Sequence, residues 1–427
     1  MRDRATIFAL ASGRPPAAIA VIRISGPRAH AAAEQLAGAL PEPRQAALRR
    51  LRSSDGHLLD EALLLRFAGP ASATGEDAVE FHCHGSRAVV DAVLAALSGI
   101  GGLRLAEPGE FTRRAFENGR IDLTEAEGLA DLLEAETESQ RRAALAMAEG
   151  GLRHQVEAWQ AHLLALSARA EAAIDYDEED GLGADPALSH DSAELASEIE
   201  QWTARPTVEP LRDGVRVVLA GPTNAGKSSL INALAGADKA IVTEIAGTTR
   251  DQIEVPLAID GVPCILVDTA GLRDTAERVE RIGIERARSA IDQADVLLWL
   301  GDPAGAPDHP RIIKVHARSD EPDRASAPAG SIPVSSVTAA GLRDLLSHIA
   351  AEAQTLLPVE GAVAINRRQA AAFKEAAEAL RLAEAAPDIV IAADGLRSAR
   401  SAFDRVTGRA GVEDLLDTLF GRFCLGK

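Results

Sequence analysis

Residues 221–228 read G-P-T-N-A-G-K-S, a match to G-x-x-x-x-G-K-[ST]. Each residue type has a use there. The glycines let the backbone wrap an anion, and amides at a helix start point at negative charge. Lys227 can neutralise β- and γ-phosphate oxygens, and the Ser228 hydroxyl can ligate Mg²⁺. Two further segments follow in order. Gly247-Thr248-Thr249 offers a threonine that completes a Mg²⁺ shell only while a γ-phosphate is present. Residues 268–271, D-T-A-G, place an acid within reach of the same shell and a glycine amide that can sense the γ-phosphate. Three motifs in this order point to a GTPase-type P-loop domain using GTP and Mg²⁺.

Two positions depart from the usual machinery. GTPases usually carry N-K-x-D after a late strand, whereas residues 317–320 read A-R-S-D. Asp320 can still accept from the guanine N1 and 2-amino groups, and Arg318 can stack its stem or guanidinium over the base. The missing asparagine amide puts tight guanine selectivity in doubt. Residues 335–337, S-S-V, resemble the last base-contacting loop. Directly after D-T-A-G, where many GTPases place a water-orienting glutamine, stands Leu272, which cannot hydrogen-bond. Glu280 is a candidate replacement, although residue type alone favours a solvated acid at a helix start.

The elements that must position these groups can be read from apolar spacing. Residues 215–220 form a β-branched strand before the loop, and a helix starts near Lys227. Strands at 253–258 and 263–267 flank Asp260-Gly261, a two-residue hairpin turn. Further buried strands are expected at 296–300 and 312–315, giving a mostly parallel sheet with helices on both faces. N-terminal to this, residues 6–119 mix strands at 18–24, 63–67 and 78–82 with a helix at 87–97, an α+β domain. Residues 121–202 and the segment after 366 are helical. Asp122-Leu123-Thr124-Glu125 has the form of a capping box, and the acidic run 177–180 suits a solvated loop. The simplest assembly packs the two helical stretches as one discontinuous domain with the α/β unit inserted between them.

Composition bounds the rest. The chain has 427 residues and a net charge of −19, from 45 basic and 64 acidic side chains. That acidity excludes a diffuse polyanion-binding surface, so a nucleic-acid contact needs a local basic patch. No apolar run approaches the roughly 18 residues of a membrane helix, and the N-terminus lacks a signal-peptide core. A cytoplasmic location with no membrane contact is expected. Cys83, Cys264 and Cys424 are too few and scattered for a disulfide framework or zinc module. In His82-Cys83-His84, strand alternation puts the cysteine on the face opposite the histidines.

Residues 22–26 (I-R-I-S-G), 75–80 (G-E-D-A-V-E), 108–112 (P-G-E-F-T), the nucleotide motifs and the terminal F-C-L-G-K of 423–427 together resemble the MnmE (TrmE) family. These are bacterial tRNA-uridine modification enzymes within the TrmE-Era-EngA-like P-loop GTPases, and the likeness runs over essentially the full length. It implies a folate-binding and dimerisation domain at 1–119, a helical domain at 120–212 and 353–427, and a GTPase domain at 213–352. It further implies GTP contacts from Asn224, Ala225, Gly226, Lys227, Ser228 and Ser229, from Thr243, Glu244, Ile245, Ala246, Gly247, Thr248 and Thr249, and from Asp268, Thr269, Ala270, Gly271 and Asp320. Ser228 and Thr249 would bind Mg²⁺; Asn224, Thr243, Ile245 and Thr248 would hold a K⁺ that stabilises developing phosphate charge; Glu280 would be the catalytic acid.

Arg23, Glu80, Arg120 and Lys427 match the family's contacts to a tetrahydrofolate derivative, in its 5-formyl or 5,10-methylene form. At Arg120 other members often have lysine, which keeps the charge and alters the geometry. Cys424 can be read as a nucleophile towards C6 of uridine or as a small residue lining the folate pocket. No general base is evident nearby in sequence, which favours the second. The resemblance implies a homodimer, tRNA as substrate and a heterotetramer with an MnmG-type flavoprotein. FAD would come from that partner, since no G-x-G-x-x-G follows a strand here. The rival reading is a ribosome-assembly switch GTPase, which would carry a basic RNA-binding module.

Overall fold

The computed structural model describes residues 5–176, 186–237, 253–269, 288–410, 413–423 and 426. The chain divides into two compact units, residues 1–130, 148–158 and 401–427 in one and 131–147 and 159–400 in the other.

The first unit is built on a six-stranded sheet. Its strands are β1 (Thr6–Leu10), β2 (Ile19–Ser25), β3 (Ala46–Arg52), β4 (Leu58–Phe67), β5 (Ala78–His84) and β6 (Leu103–Leu105), in the order β3-β4-β5-β2-β1-β6. Only β1 and β6 run parallel. Helices α1 (Ala29–Ala37) and α2 (Arg87–Ser98) bury one face through Ile22, Ile24, Leu64, Val79 and Phe81. Because side chains alternate along a strand, Arg23, Glu80 and His82 emerge on the other face. Arg23 and Glu80 lie directly opposite each other in the β2–β5 ladder. Part of that second face is covered by Phe111 of α3 (Glu110–Glu117), which packs on Ile7 and Ala9. Gly109, at φ +69°, opens α3; a Cβ there would stand 2.2 Å from the Phe420 carbonyl oxygen, so only glycine permits the approach. Helix α4 (Leu123–Glu134) and α13 (Glu413–Gly421) meet through Leu123, Ala126, Leu419 and Phe420. The Asp122 carboxylate accepts from the Glu125 amide at 2.9 Å, and Glu125 accepts from the Asp122 amide at 2.7 Å, completing the capping box.

The second unit holds a sheet of β7 (Val215–Ala220), β8 (Ile253–Ile259), β9 (Val262–Asp268), β10 (Val296–Trp299), β11 (Ile312–Ala317) and β12 (Ile332–Val334). The order is β12-β11-β10-β7-β9-β8, parallel throughout except for the β8–β9 hairpin. Asp260 and Gly261 both have positive φ (49° and 82°), as a two-residue hairpin turn requires. Short α8 (Glu209–Arg212) leads into β7. Helices α9 (Lys227–Ala237) and α10 (Leu342–Gln354) close one core with Val217, Leu219, Leu266 and Leu298. Among the described residues the other helices of the chain are α5 (Glu138–Ala148), α6 (Gly151–Tyr176), α7 (Pro186–Thr203), α11 (Arg367–Glu384) and α12 (Ile389–Thr407). Trp159 stands edge-on to Trp202 and to Phe373, with centroids 5.5 and 5.2 Å away, locking α6, α7 and α11 together. Among the described residues no helix is long and apolar enough to cross a membrane.

Candidate functional site

The P-loop leaves the C-terminal end of β7, the central strand of its sheet, where open α/β sheets bind ligands. Gly221 (φ +148°) and Gly226 (φ +93°) allow the turn, and Asn224 also takes a positive φ of 60°. The last turn of the loop is fixed by the Leu230 amide donating to the Gly226 carbonyl. Lys227 is buried, and its ammonium donates to the carbonyls of Gly221 (3.0 Å) and Pro222 (2.8 Å). Asp268 ends β9 opposite Leu219 of β7, which brings its carboxylate to the start of α9. There it accepts from the Ser228 hydroxyl at 2.5 Å. A hydroxyl and a carboxylate held together beside a buried ammonium are hard oxygen donors of the kind Mg²⁺ takes in a phosphate site. Thr269 is anchored by its hydroxyl to the Leu219 carbonyl at 2.7 Å.

The A-R-S-D loop follows β11. Ala317, the last residue of β11, is buried, and its carbonyl accepts from Arg324 Nε at 2.9 Å. Arg318 has φ +60°, and the Ser319 amide donates to Val334 O. Asp320 is exposed. In the neighbouring loop the Ser335 hydroxyl accepts from the amides of Val337 and Thr338 (3.2 and 3.0 Å), folding it into a tight turn. Thr243, Glu244, Ile245, Ala246, Gly247, Thr248, Thr249, Ala270, Gly271 and Glu280 lie outside the described residues.

The second group of chemically competent side chains is in the first unit. Arg23 Nε and Nη2 both reach Glu80 Oε1 at 2.9 Å, and His82 Nε2 lies 3.3 Å from the other carboxylate oxygen. The Arg23 guanidinium also sits 5.7 Å from the Phe111 ring centroid. Arg120 packs over Gly75, whose Cβ would stand 3.2 Å from the Arg120 Cγ. Gly426 is buried and packs against the Leu10 carbonyl at the end of β1, too closely to admit a Cβ. Cys424 and Lys427 are outside the described residues. The sequence reading did not pick out the buried network behind this face. Arg114 bridges Glu76 (3.0 Å) and Glu110 (2.8 Å), and Ser25 joins Glu76 (2.9 Å) to Thr74 (2.7 Å). The G-E-D-A-V-E and P-G-E-F-T segments contain its two acids, and that was the available signal.

Residues 6–120 match the family described as GTP-binding protein TrmE N-terminus, and residues 123–424 match the MnmE helical domain. The chain belongs to the MnmE family of tRNA modification GTPases. It is 54% identical over 99% of its length to the tRNA modification GTPase MnmE of Erythrobacter litoralis, covering 100% of that protein. It is 55% identical to that of Rhizorhabdus wittichii, covering 99% of this chain and 96% of that one. With the MnmE protein of Novosphingobium aromaticivorans the identity is 52%, over 99% of both chains. The protein is thus a GTP-hydrolysing enzyme of tRNA modification.

Two cysteines of this MnmE-family chain are removed from that chemistry by burial. Desolvation, with Asp60 adding to it, pushes the Cys83 thiol up to about 12, and desolvation pushes Cys264 to about 12. A thiol reacts as its thiolate. In the folded protein near neutral pH, peptide mapping after maleimide treatment is expected to find neither cysteine labelled. Both should label in denaturant; labelling of either within minutes under native conditions would contradict its burial.

Proposed function

We propose that the protein is a potassium-stimulated GTPase that, with an MnmG-type flavoprotein, installs an aminomethyl or carboxymethylaminomethyl group at C5 of the tRNA wobble uridine. A tetrahydrofolate derivative is the one-carbon donor. The observation that supports this reading is the presence, in one MnmE-family chain, of Lys227, Ser228 and Asp268 gathered at the P-loop and of a paired Arg23–Glu80 on the sheet face of the TrmE-type unit. Glu80 can accept from the donors of a pterin ring while Arg23 holds it in place, and Arg120 and Lys427 suit the folate's oxygens or its glutamate tail. Cys424 is assigned to the folate site as a small contact residue rather than as a nucleophile. FAD enters with the flavoprotein, which handles the redox step.

In the nucleotide domain, proposed to span 213–352, Ser228 and Thr249 ligate Mg²⁺ and Asp320 reads guanine. Asn224, Thr243, Ile245 and Thr248 hold K⁺, and Glu280 orients the attacking water. Closure of this domain on GTP couples nucleotide state to the geometry of the folate and tRNA sites; the carbon chemistry is done elsewhere in the chain, at 1–119 and in the helical parts 120–212 and 353–427. The protein works in the cytoplasm as a homodimer. Leu48 (59% exposed) and Leu63 (38%) are directly paired neighbours on β3 and β4, a bare apolar pair suited to a second copy.

The test is GTP turnover in potassium against sodium chloride. Potassium is expected to raise the rate at least about tenfold, and Glu280→Ala to remove about 10²-fold or more of it. Equal rates in the two salts would sink the cation-dependent switch. Folate chemistry is checked separately, by retention of 5-formyltetrahydrofolate binding in the parent protein and its loss in Glu80→Ala.

A further inference from the structure

We propose that this nucleotide domain reads guanine only at its Watson–Crick edge and its face, leaves N7 unread, and therefore accepts guanine nucleotides altered at N7. The proposal deepens the GTP-hydrolysing activity and rests on it.

Guanine presents donors at N1 and the 2-amino group, acceptors at O6 and N7, and two π faces. An ionised carboxylate only accepts, so Asp320 is matched to the donor edge and has nothing to offer N7. N7 needs an N–H or O–H. At the head of the loop, where an asparagine amide would supply one, stands Ala317. Its side chain is 4% exposed and belongs to the sheet's apolar core. Its methyl carbon lies 3.9 Å from the point a Cβ would occupy on Gly226, the last glycine of the P-loop. At this position the loop meets the P-loop with a methyl group, which has no hydrogen to donate.

Arg318 carries the N–H donors of the A-R-S-D loop and Ser319 its one hydroxyl. The placement of Arg318 commits its N–H groups elsewhere. The backbone turns through φ +60°, Nε lies 3.8 Å from that same Gly226 Cβ position, and Nη1 faces Glu321 at 3.7 Å. A guanidinium laid along the P-loop in this way meets a base face-on. It cannot at the same time lie in the base plane as a donor to N7. The A-R-S-D loop then sets one carboxylate, one stacking cation and the Ala317 methyl beside the P-loop, with the hydroxyls of Ser319, Ser335 and Ser336 as the remaining polar side chains of the two loops.

The consequence is a pocket that still excludes adenine, whose N1 would face the Asp320 carboxylate with no proton between them, but tolerates change at N7. Equilibrium binding of GDP and 7-deaza-GDP to the full chain with Mg²⁺ tests it, with ADP as control. The two guanine nucleotides are expected to bind within about twofold of each other, and ADP far more weakly. Arg318→Ala should weaken both by a similar factor, about three- to tenfold, as loss of a stacking cation does. Ala317→Asn, which adds the missing donor, should tighten GDP about tenfold and leave 7-deaza-GDP unchanged.

A parent protein that prefers GDP over 7-deaza-GDP by more than about fivefold overturns the proposal. If Arg318→Ala erases that preference, the guanidinium is the N7 donor. Ser319→Ala is expected to leave the ratio of GDP to 7-deaza-GDP binding unchanged, and loss of a preference for GDP in that variant would make the hydroxyl the N7 donor and overturn the proposal. The parent protein and Arg318→Ala decide the matter even if Ala317→Asn fails to fold. Absence of any GDP binding would overturn the GTPase reading along with this one, and is told apart by that signature.

Discussion

Lys227→Ala is expected to lower GTP hydrolysis by at least about 10²–10³-fold, the largest single effect in the nucleotide domain. Lys227 is 7% exposed, and its ammonium bridges the Gly221 and Pro222 carbonyls. It is held over the cradle by the cradle itself. Nucleotide binding exchanges two neutral carbonyls for phosphate oxygens that bear more charge as the γ-phosphoryl departs, so the gain is greatest in the transition state. Removing the side chain deletes that gain with little change in folding. Two charge-assisted hydrogen bonds are lost, but the cost of keeping an ammonium out of water is lost too.

Single-turnover hydrolysis at saturating Mg²⁺, with tryptophan fluorescence as the fold control, checks the expectation. A rate within tenfold of the parent would mean that the phosphate charge is neutralised by another group. Ser228→Ala is the useful contrast. Its hydroxyl is the Asp268 partner, so its loss should raise the Mg²⁺ concentration needed for turnover, a shift that Lys227→Ala should not produce.

How far the sequence reveals the molecule depends on whether the information is local. The β8–β9 hairpin was legible because Asp-Gly is among the few pairs that take positive φ twice in succession, and both residues do. The capping box at Asp122 and Glu125 and the β7–loop–α9 sequence of the P-loop were legible for the same reason. Their geometry is specified within a few residues. β3 was not, since A-A-L-R-R-L-R has no β-branched residue and only Leu51 is buried. It is a strand because β4 pairs with it at an edge. β1 and the three-residue β6 were missed likewise; their parallel pairing joins segments almost a hundred residues apart and leaves no local mark.

The sites divide in the same way. Alternation along β2 and β5 could place Arg23 and Glu80 on one kind of face, but their meeting at 2.9 Å needed the register. The fixed course of Arg318 across Gly226 comes from a backbone angle that residue type does not announce.

Arg114→Met should be the most destabilising substitution in the first unit, by about 3–5 kcal/mol, because it leaves the Glu76 carboxylate buried without its cation and Glu110 with Arg104 alone. The Arg114 side chain is 5% exposed and holds Glu76, Glu110 and the Ala5 carbonyl at once. All three tryptophans and the single tyrosine lie in the other unit, so intrinsic fluorescence is nearly blind to this loss. Hydrogen exchange of the β2 and β5 amides is the direct measurement.

Acid adds a second signature. Burial alone would raise the Glu110 pKa, but hydrogen bonds from Arg104, the Glu107 amide and Arg114 hold it below the ordinary glutamate value. A depressed folded pKa contributes stability that is present above the unfolded value and is lost as pH falls through the folded one. The parent protein should therefore lose β2 and β5 protection as pH drops below about 4.5, and Arg114→Met should show a shallower acid dependence because one of the three restraints is gone. The double replacement Glu76→Gln with Arg114→Met separates charge from packing. If the orphaned carboxylate is the main cost, the double variant is more stable than Arg114→Met alone. If lost packing dominates, the second change recovers nothing, and the network is a steric brace that happens to be charged.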